Sequence, residues 1–205
     1  MNQTFPLFFG LVTTPLECWS FVLSLITVYL NIRQVHWAWL FAILSSGLYA
    51  FVFFDAKLYG DMGLQGVFIL VSVWGWVLWW RGSAVSDAVA KQLEPAFVVT
   101  QLRRSQQFLS LLAWLAGFIV VAWFLKTYTD TDVPYADGFL TAGSLLGQVL
   151  LSKKKIENWL IWIVVDVLYV ALYIHKDLML TAFLYGVFVV MAVLGWRVWS
   201  KTCQR

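Results

Sequence analysis

Long apolar stretches separated by short polar breaks dominate this chain. They fall at Leu16–Leu30, Trp37–Phe54, Met62–Trp80, Phe108–Leu125, Tyr135–Leu151, Glu157–Ile174 and Leu178–Trp199. A helix needs about 20 apolar residues to cross the hydrocarbon core, so each stretch predicts a membrane-spanning helix. The runs are continuous rather than alternating, which favours helices over a β-barrel. Phe5–Val12 is expected either to extend the first span or to lie in the interface. Arg81–Gln107 breaks the pattern, being polar, Ala-rich and interrupted by Pro95. It predicts an exposed loop with helical pieces ahead of the fourth span. The expected fold class is all-α integral membrane, with seven transmembrane helices in a single domain over residues 1–205.

The pattern also repeats. Shifting the sequence by 120 positions without a gap puts Trp39-Leu40 on Trp159-Leu160, Ile43 on Ile163 and Leu48-Tyr49 on Leu168-Tyr169. Leu58 falls on Leu178, Leu64 on Leu184, and Gly66-Val67-Phe68 on Gly186-Val187-Phe188. Val73, Gly75-Trp76 and Trp79 fall on Val193, Gly195-Trp196 and Trp199, making 14 identities over the 41 positions Trp39–Trp79. The shift divides the chain into repeat one (about 16–80), a linker loop with the fourth helix (about 81–126) and repeat two (about 135–199). An odd number of spans in each repeat, with one helix bringing the chain back, makes the repeats parallel. Parallel repeats are one design of secondary transporters, with the substrate held near the midplane.

Composition agrees with a lipid-facing surface. Hydrophobic residues make up 61% and charged residues 12%, against about 25% charged in soluble domains. Of the 13 Trp, those near span ends (Trp19, Trp79, Trp80, Trp196 and Trp199) read as interfacial anchors. Trp74 and Trp162 lie deeper in their runs. With seven spans, the side holding the C-terminus carries 11 Lys and Arg and the other side 3. The C-terminus is therefore expected in the cytoplasm and the N-terminus outside. The run Lys153-Lys154-Lys155 reads as a topology signal. The net charge of +3, without a dense basic block, gives no footprint for nucleic acid. Cys18 and Cys203 would fall on opposite sides of the membrane, so no intrachain disulfide is expected. No CxxC or other dense metal-ligand spacing occurs, and neither metal nor cofactor is expected. The first 15 residues carry no Lys or Arg, unlike the basic start of a signal peptide.

Candidate chemistry lies inside the spans. In the sixth, Trp159, Trp162, Asp166, Tyr169 and Tyr173 recur every three or four residues and form one helix stripe. A carboxylate at mid-span depth costs several kcal/mol unless paired or watered, so this stripe faces the bundle interior or an aqueous cavity. Helix packing explains the aromatic spacing equally well, and a helix–helix hydrogen bond is the bland role for Asp166. Repeat one places Trp39, Ala42, Ser46, Tyr49 and Phe53 on the matching stripe. The third span offers Gln65 and Ser72 on one face, and the fifth offers Ser144 and Gln148. Each is as well explained by interhelical bonding as by ligand contact. Together the aromatic faces, amides and acid describe a pocket for a planar, polar, cationic ring. There is no Walker loop, HExxH or GxSxG, and His36 and His175 are expected on opposite sides. An enzyme is therefore not expected, and no charged ring or repeated carbonyl motif suggests a channel.

The segment Glu157-Asn158-Trp159-Leu160-Ile161-Trp162, with Asp166, Tyr169, Tyr173 and Leu178-Met179-Leu180-Thr181-Ala182, resembles the Pnu-type vitamin transporters. Tyr59-Gly60-Asp61, Leu64-Gln65 and Gly75-Trp76 resemble the matching part of the family's first repeat. The resemblance covers nearly the whole chain, and its Asn-Trp-x-x-Trp element is its most specific part. It implies facilitated diffusion of nicotinamide riboside across a bacterial cytoplasmic membrane, followed by trapping through phosphorylation. It implies the three-plus-one-plus-three fold also seen in SWEET sugar transporters and, in some relatives, assembly as a homotrimer. Ligand contacts carry over to Trp159 and Trp162, with Asn158 beside them, and to Gln65. The family pattern has an amide where this chain has Ser72. Relatives carry thiamine or riboflavin, and the pocket chemistry does not separate thiamine from nicotinamide riboside. The expected ligand contacts are Trp159, Trp162, Asn158, Gln65, Gln148, Asp166, Tyr169, Ser72, Trp39 and Tyr49, near the midplane between the sixth span and the third.

Overall fold

The structure is a computed structural model that describes the backbone of residues 5–6, 12–13, 15–55, 59–89, 98–129, 131–175 and 179–203. Among these are seven α-helices: α1 (Pro15–Ile32), α2 (Ala38–Asp55), α3 (Tyr59–Val89), α4 (Arg104–Tyr128), α5 (Pro134–Ser152), α6 (Glu157–His175) and α7 (Met179–Thr202). Each contains most of one apolar run read from the sequence. Among the described residues, four stretches are both long and apolar enough to cross a bilayer: Met62–Gly82, Arg104–Tyr128, Glu157–His175 and Ala182–Thr202. The chain is thus a multi-pass helical membrane protein.

Two expectations change at the flanks. Of the stretch Phe5–Val12, residues 7–11 lie outside the described residues, and its described ends are not helical: β1 (Phe5–Pro6) pairs antiparallel with β2 (Val12–Thr13). Nor does the loop begin at Arg81, because α3 runs on to Val89. Helix formers such as Ala84 and Ala88 carry the backbone past the end of the apolar run.

The chain forms two compact units, Met1–Val77 and Leu78–Arg205. In the first, α1 and α2 form a hairpin bonded through small hydroxyls. Ser24 Oγ and Ser45 Oγ lie 2.9 Å apart, and Ser45 Oγ donates to the Ser20 carbonyl at 3.2 Å. Small polar residues let two helices approach closely where water offers no driving force.

In the second unit α4 packs on α5, α5 on α6 and α6 on α7. The close approaches are made at glycines. A Cβ on Gly138 would stand 2.8 Å from the Ala122 backbone. One on Gly143 would stand 2.6 Å from Trp114 and 2.7 Å from Val165. Trp114 Nε1 donates to the Phe139 carbonyl at 2.9 Å, satisfying its polar handle. Phe108, Leu109, Ile119, Val120 and Trp123 of α4 are exposed, as suits a face against lipid tails.

The turns α1–α2 and α5–α6 match bond for bond in the 120-residue register. Gln34 N–H donates to Asn31 O and Val35 N–H to Leu30 O; likewise Lys154 N–H donates to Leu151 O and Lys155 N–H to Leu150 O. This pair of bonds is a Schellman cap, whose pivotal residue adopts a left-handed conformation. Gln34 (φ 56°) and Lys154 (φ 50°) are the non-glycine residues with positive φ among those described. Glycine is usual there, so both turns hold a side chain at a position costing about 1 kcal/mol or more.

Candidate functional site

The Schellman turn delivers the chain into α6 through a buried start. Asn158 is fully buried and its Nδ2 donates to the Lys155 carbonyl at 2.6 Å. Its Oδ1 has no partner among the described residues, and neither has Nε1 of the adjacent Trp159. Trp159 is 2% exposed. Its indole lies on Gly195 of α7, where a Cβ would come within 2.7 Å of the ring, and meets Trp199 edge-on at 5.4 Å between centroids. Trp79 is 6.3 Å from Trp199 on the same scale, and its Nε1 donates to the Ser152 carbonyl at 3.0 Å.

These contacts correct the reading of two anchors. Trp19, Trp80 and Trp196 are exposed, as interfacial residues would be, whereas Trp79 and Trp199 are buried. Their rings fill the end of the helix bundle instead of reaching the headgroups. Lys154, read as a topology signal, is only 9% exposed, with its ammonium 4.9 Å from the centroid of the Trp79 ring. Burial lowers its pKa from 10.5 to about 8, while the ring face attracts the charged form.

One turn into α6, Trp162 is half-buried over Gly147 of α5. A Cβ on Gly147 would stand 3.1 Å from Trp162 Cε2 and 3.3 Å from Nε1. Asp166 follows on the same stripe, 5% exposed. Its carboxyl has no ion pair or hydrogen bond among the described residues. Tyr169 comes next, with its hydroxyl beside the Ser144 and Thr141 side chains of α5. Its ring lies 5.7 Å from Tyr173 and 4.7 Å from Tyr185 of α7. Gln148 of α5 is half-buried.

The structure therefore brings Trp162, Asp166 and Tyr169 together along α6, with the small residues of α5 on one flank. Trp159 and Asn158 sit below them in closer packing. Sequence reasoning missed Tyr185, Gly147 and Thr141. A signal for Tyr185 was present, because the 120-residue shift places it on Gln65. The remaining candidates belong to the first unit. There Trp39 and Ser72 are buried, and Gln65 and Tyr49 are half-buried. No group of three or more His, Cys, Asp or Glu suited to a metal occurs among the described residues.

Apolar membrane-crossing helices that carry, among the described residues, one buried acid beside half-open aromatic rings fit the architecture of a small-molecule transporter. The family model for "Nicotinamide mononucleotide transporter" matches residues 14–201, and the chain belongs to this family of Pnu-type vitamin transporters. It is 28% identical over 185 residues to the riboflavin/roseoflavin transporter RibM of Streptomyces davaonensis, covering 90% of this chain and 84% of that one. It is 23% identical over 181 residues to the nicotinamide riboside transporter PnuC of Escherichia coli, covering 80% and 76%. A crystal structure of the vitamin B3 transporter PnuC resembles it with a TM-score of 0.70 at 25% identity, over 91% of this chain and 80% of the other.

Proposed function

We propose that this chain is a uniporter carrying nicotinamide riboside across a bacterial cytoplasmic membrane, with phosphorylation inside the cell trapping what enters. The observation that carries the choice of a cationic vitamin over a neutral one is the half-open Trp162 ring one turn from the buried Asp166, whose carboxyl has no partner among the described residues. Nicotinamide riboside presents a flat pyridinium cation and a ribose. An indole face and a carboxylate both favour such a cation. Gln148 and Asn158 Oδ1 are suited to the carboxamide or the ribose hydroxyls. One carboxylate without a second acid on the stripe favours uniport over proton coupling.

Riboflavin is the second reading, favoured by the likeness to RibM. Its ring system is neutral and larger, so it would use the aromatic faces and leave Asp166 without a charge to meet. Thiamine, also a cation, would use both. We further propose seven spans in a three-plus-one-plus-three order, with the N-terminus outside.

The test is counterflow in proteoliposomes with nicotinamide riboside, thiamine and riboflavin, with and without a proton gradient. Exchange of nicotinamide riboside that the gradient does not drive supports the proposal. Accumulation driven by the gradient refutes uniport, and tight binding without flux points to a receptor. External labelling of Thr202→Cys in intact cells, in a background lacking native cysteines, would refute the orientation.

A further inference from the structure

The segment between α3 and α4 is expected from sequence to be an exposed loop. Where it is described, it is docked. Val99 is 1% exposed. Thr100 N–H donates to the Lys154 carbonyl, and the Thr100 carbonyl accepts from Ile156 N–H, both at 3.1 Å. This is a parallel bridge to the α5–α6 turn. Lys155 Nζ adds a bond to Thr100 Oγ1 at 2.7 Å. Two residues on, Leu102 N–H donates to Glu157 Oε1 at 2.8 Å. Gln107 of α4 reaches the same oxygen at 3.4 Å and the Leu102 carbonyl at 3.3 Å. Arg103 N–H is held by Gln106 Oε1 at 2.9 Å, which fixes the start of α4 beside it.

Ile156 and Glu157 are the two residues immediately before Asn158 and Trp159. The first turn of an α-helix has no intrahelical acceptors for its own N–H groups, so its position depends on outside contacts. Here Asn158 and Trp159 N–H turn back to the Lys155 and Ile156 carbonyls at 3.1 and 3.2 Å, and the linker holds the residues they lean on, through Ile156 N–H to the Thr100 carbonyl and Leu102 N–H to Glu157 Oε1. The geometry points to residues 99–102 as a strap that positions the start of α6, with Glu157 as its clasp and a positioning residue for the ligand stripe above it. The strap is main chain bonded to main chain at Thr100 and main chain bonded to a side-chain oxygen at Leu102. The clasp is therefore the part that one substitution can open. The ligand arm of the test rests on the function proposed above.

The experiment compares the wild-type protein, Glu157→Ala and Glu157→Gln in nanodiscs. Amide hydrogen exchange is read at Leu102, Ile156, Asn158 and Trp159, and counterflow is measured with nicotinamide riboside, thiamine and riboflavin. Glu157→Ala removes the acceptor for Leu102 N–H, and exchange at the four amides is expected to rise about tenfold. The counterflow KM is expected to rise about three- to tenfold at a maximal rate within about twofold of wild type. Loss of folded protein would lower the maximal rate and leave KM alone. Glu157→Gln keeps an oxygen facing Leu102 and is expected to restore both readouts. Unchanged exchange in Glu157→Ala overturns the strap. Faster exchange with a wild-type KM overturns its positioning role. If the wild-type protein moves none of the three vitamins, the proposed function fails on its own account. Exchange at Asn158 and Trp159 then decides the strap alone.

Discussion

Gly147 offers a way to move the Trp162 ring without touching its chemistry. In Gly147→Ala the new Cβ would meet Cε2 at 3.1 Å, Nε1 at 3.3 Å and Cζ2 at 3.4 Å. Ordinary van der Waals contact begins at about 3.5 Å, so the indole must give way by a few tenths of an ångström. The ring is half-buried and can tilt, so the packing cost should stay near the low end of about 1–3 kcal/mol for overpacking. The gain of Ala over Gly within a helix, about 1 kcal/mol, offsets much of that. Stability should barely change. A cation held on the indole face gains about 0.5–2 kcal/mol, and a displaced face forfeits part of it. Nicotinamide riboside should bind about 2- to 10-fold more weakly. Gly138→Ala is the matched control. Its Cβ would stand 2.8 Å from Ala122 Cα and N, backbone atoms that cannot tilt aside. That variant should lose about 1–3 kcal/mol of stability and keep its affinity once folded. Calorimetric titration of both variants in nanodiscs, beside thermal unfolding, separates the two effects. Wild-type affinity in a well-folded Gly147→Ala, or equal losses in both variants, would refute Trp162 as the ligand surface.

Asp166→Asn should weaken nicotinamide riboside by about tenfold and riboflavin by less than about twofold, if the acid acts by its charge; equal losses for the two ligands would assign it a structural role. Trp79→Phe deletes the bond to the Ser152 carbonyl and should cost about 1–3 kcal/mol in thermal unfolding, since the carbonyl stays buried; an unchanged melting temperature would contradict this. Lys154 gives a pH dependence. Its folded pKa of about 8 lies below the ordinary 10.5, so between these values the unfolded chain binds the extra proton. Stability should therefore rise with pH across that window, with the burial penalty fully present below about 8. Melting curves from pH 7.5 to 10 should show a steeper rise in the wild-type protein than in Lys154→Met, and parallel curves would refute the assignment.

The helices were legible because hydropathy marks a span whatever it packs against. The ends of α3 and the strap were not, since a single bridge at Thr100 leaves no periodic trace. Trp79 and Trp199 show a related limit. Position near a span end and a match in the repeat do not show which way such a residue faces, and whether it meets headgroups or neighbours depends on partners elsewhere, Ser152 and Trp159 among them. The Schellman turns escaped notice because Gln34 and Lys154 occupy a place where glycine would have announced a cap. On α6 the spacing of Trp162, Asp166 and Tyr169 was enough to place them on one stripe. It could not show that Trp159, on the same stripe, is enclosed by Gly195 and Trp199 while Trp162 keeps an open side.

The matched turns at Gln34 and Lys154 bear on how such a chain changes its cargo. Their shape is fixed by main-chain bonds that read the same 120 residues apart, while the side chains they launch differ. Ala42 stands where the other copy has Trp162, Ser46 where it has Asp166, and Phe53 where it has Tyr173. A hairpin whose bend does not depend on the side chains of its stripe can exchange those residues one at a time and still fold. Duplication would then supply a spare copy of a tolerant frame, with each half free to drift toward a different chemical taste. Carriers of a flavin and of a pyridinium riboside can share one ancestry on those terms, the backbone being the heirloom and the vitamin the variable.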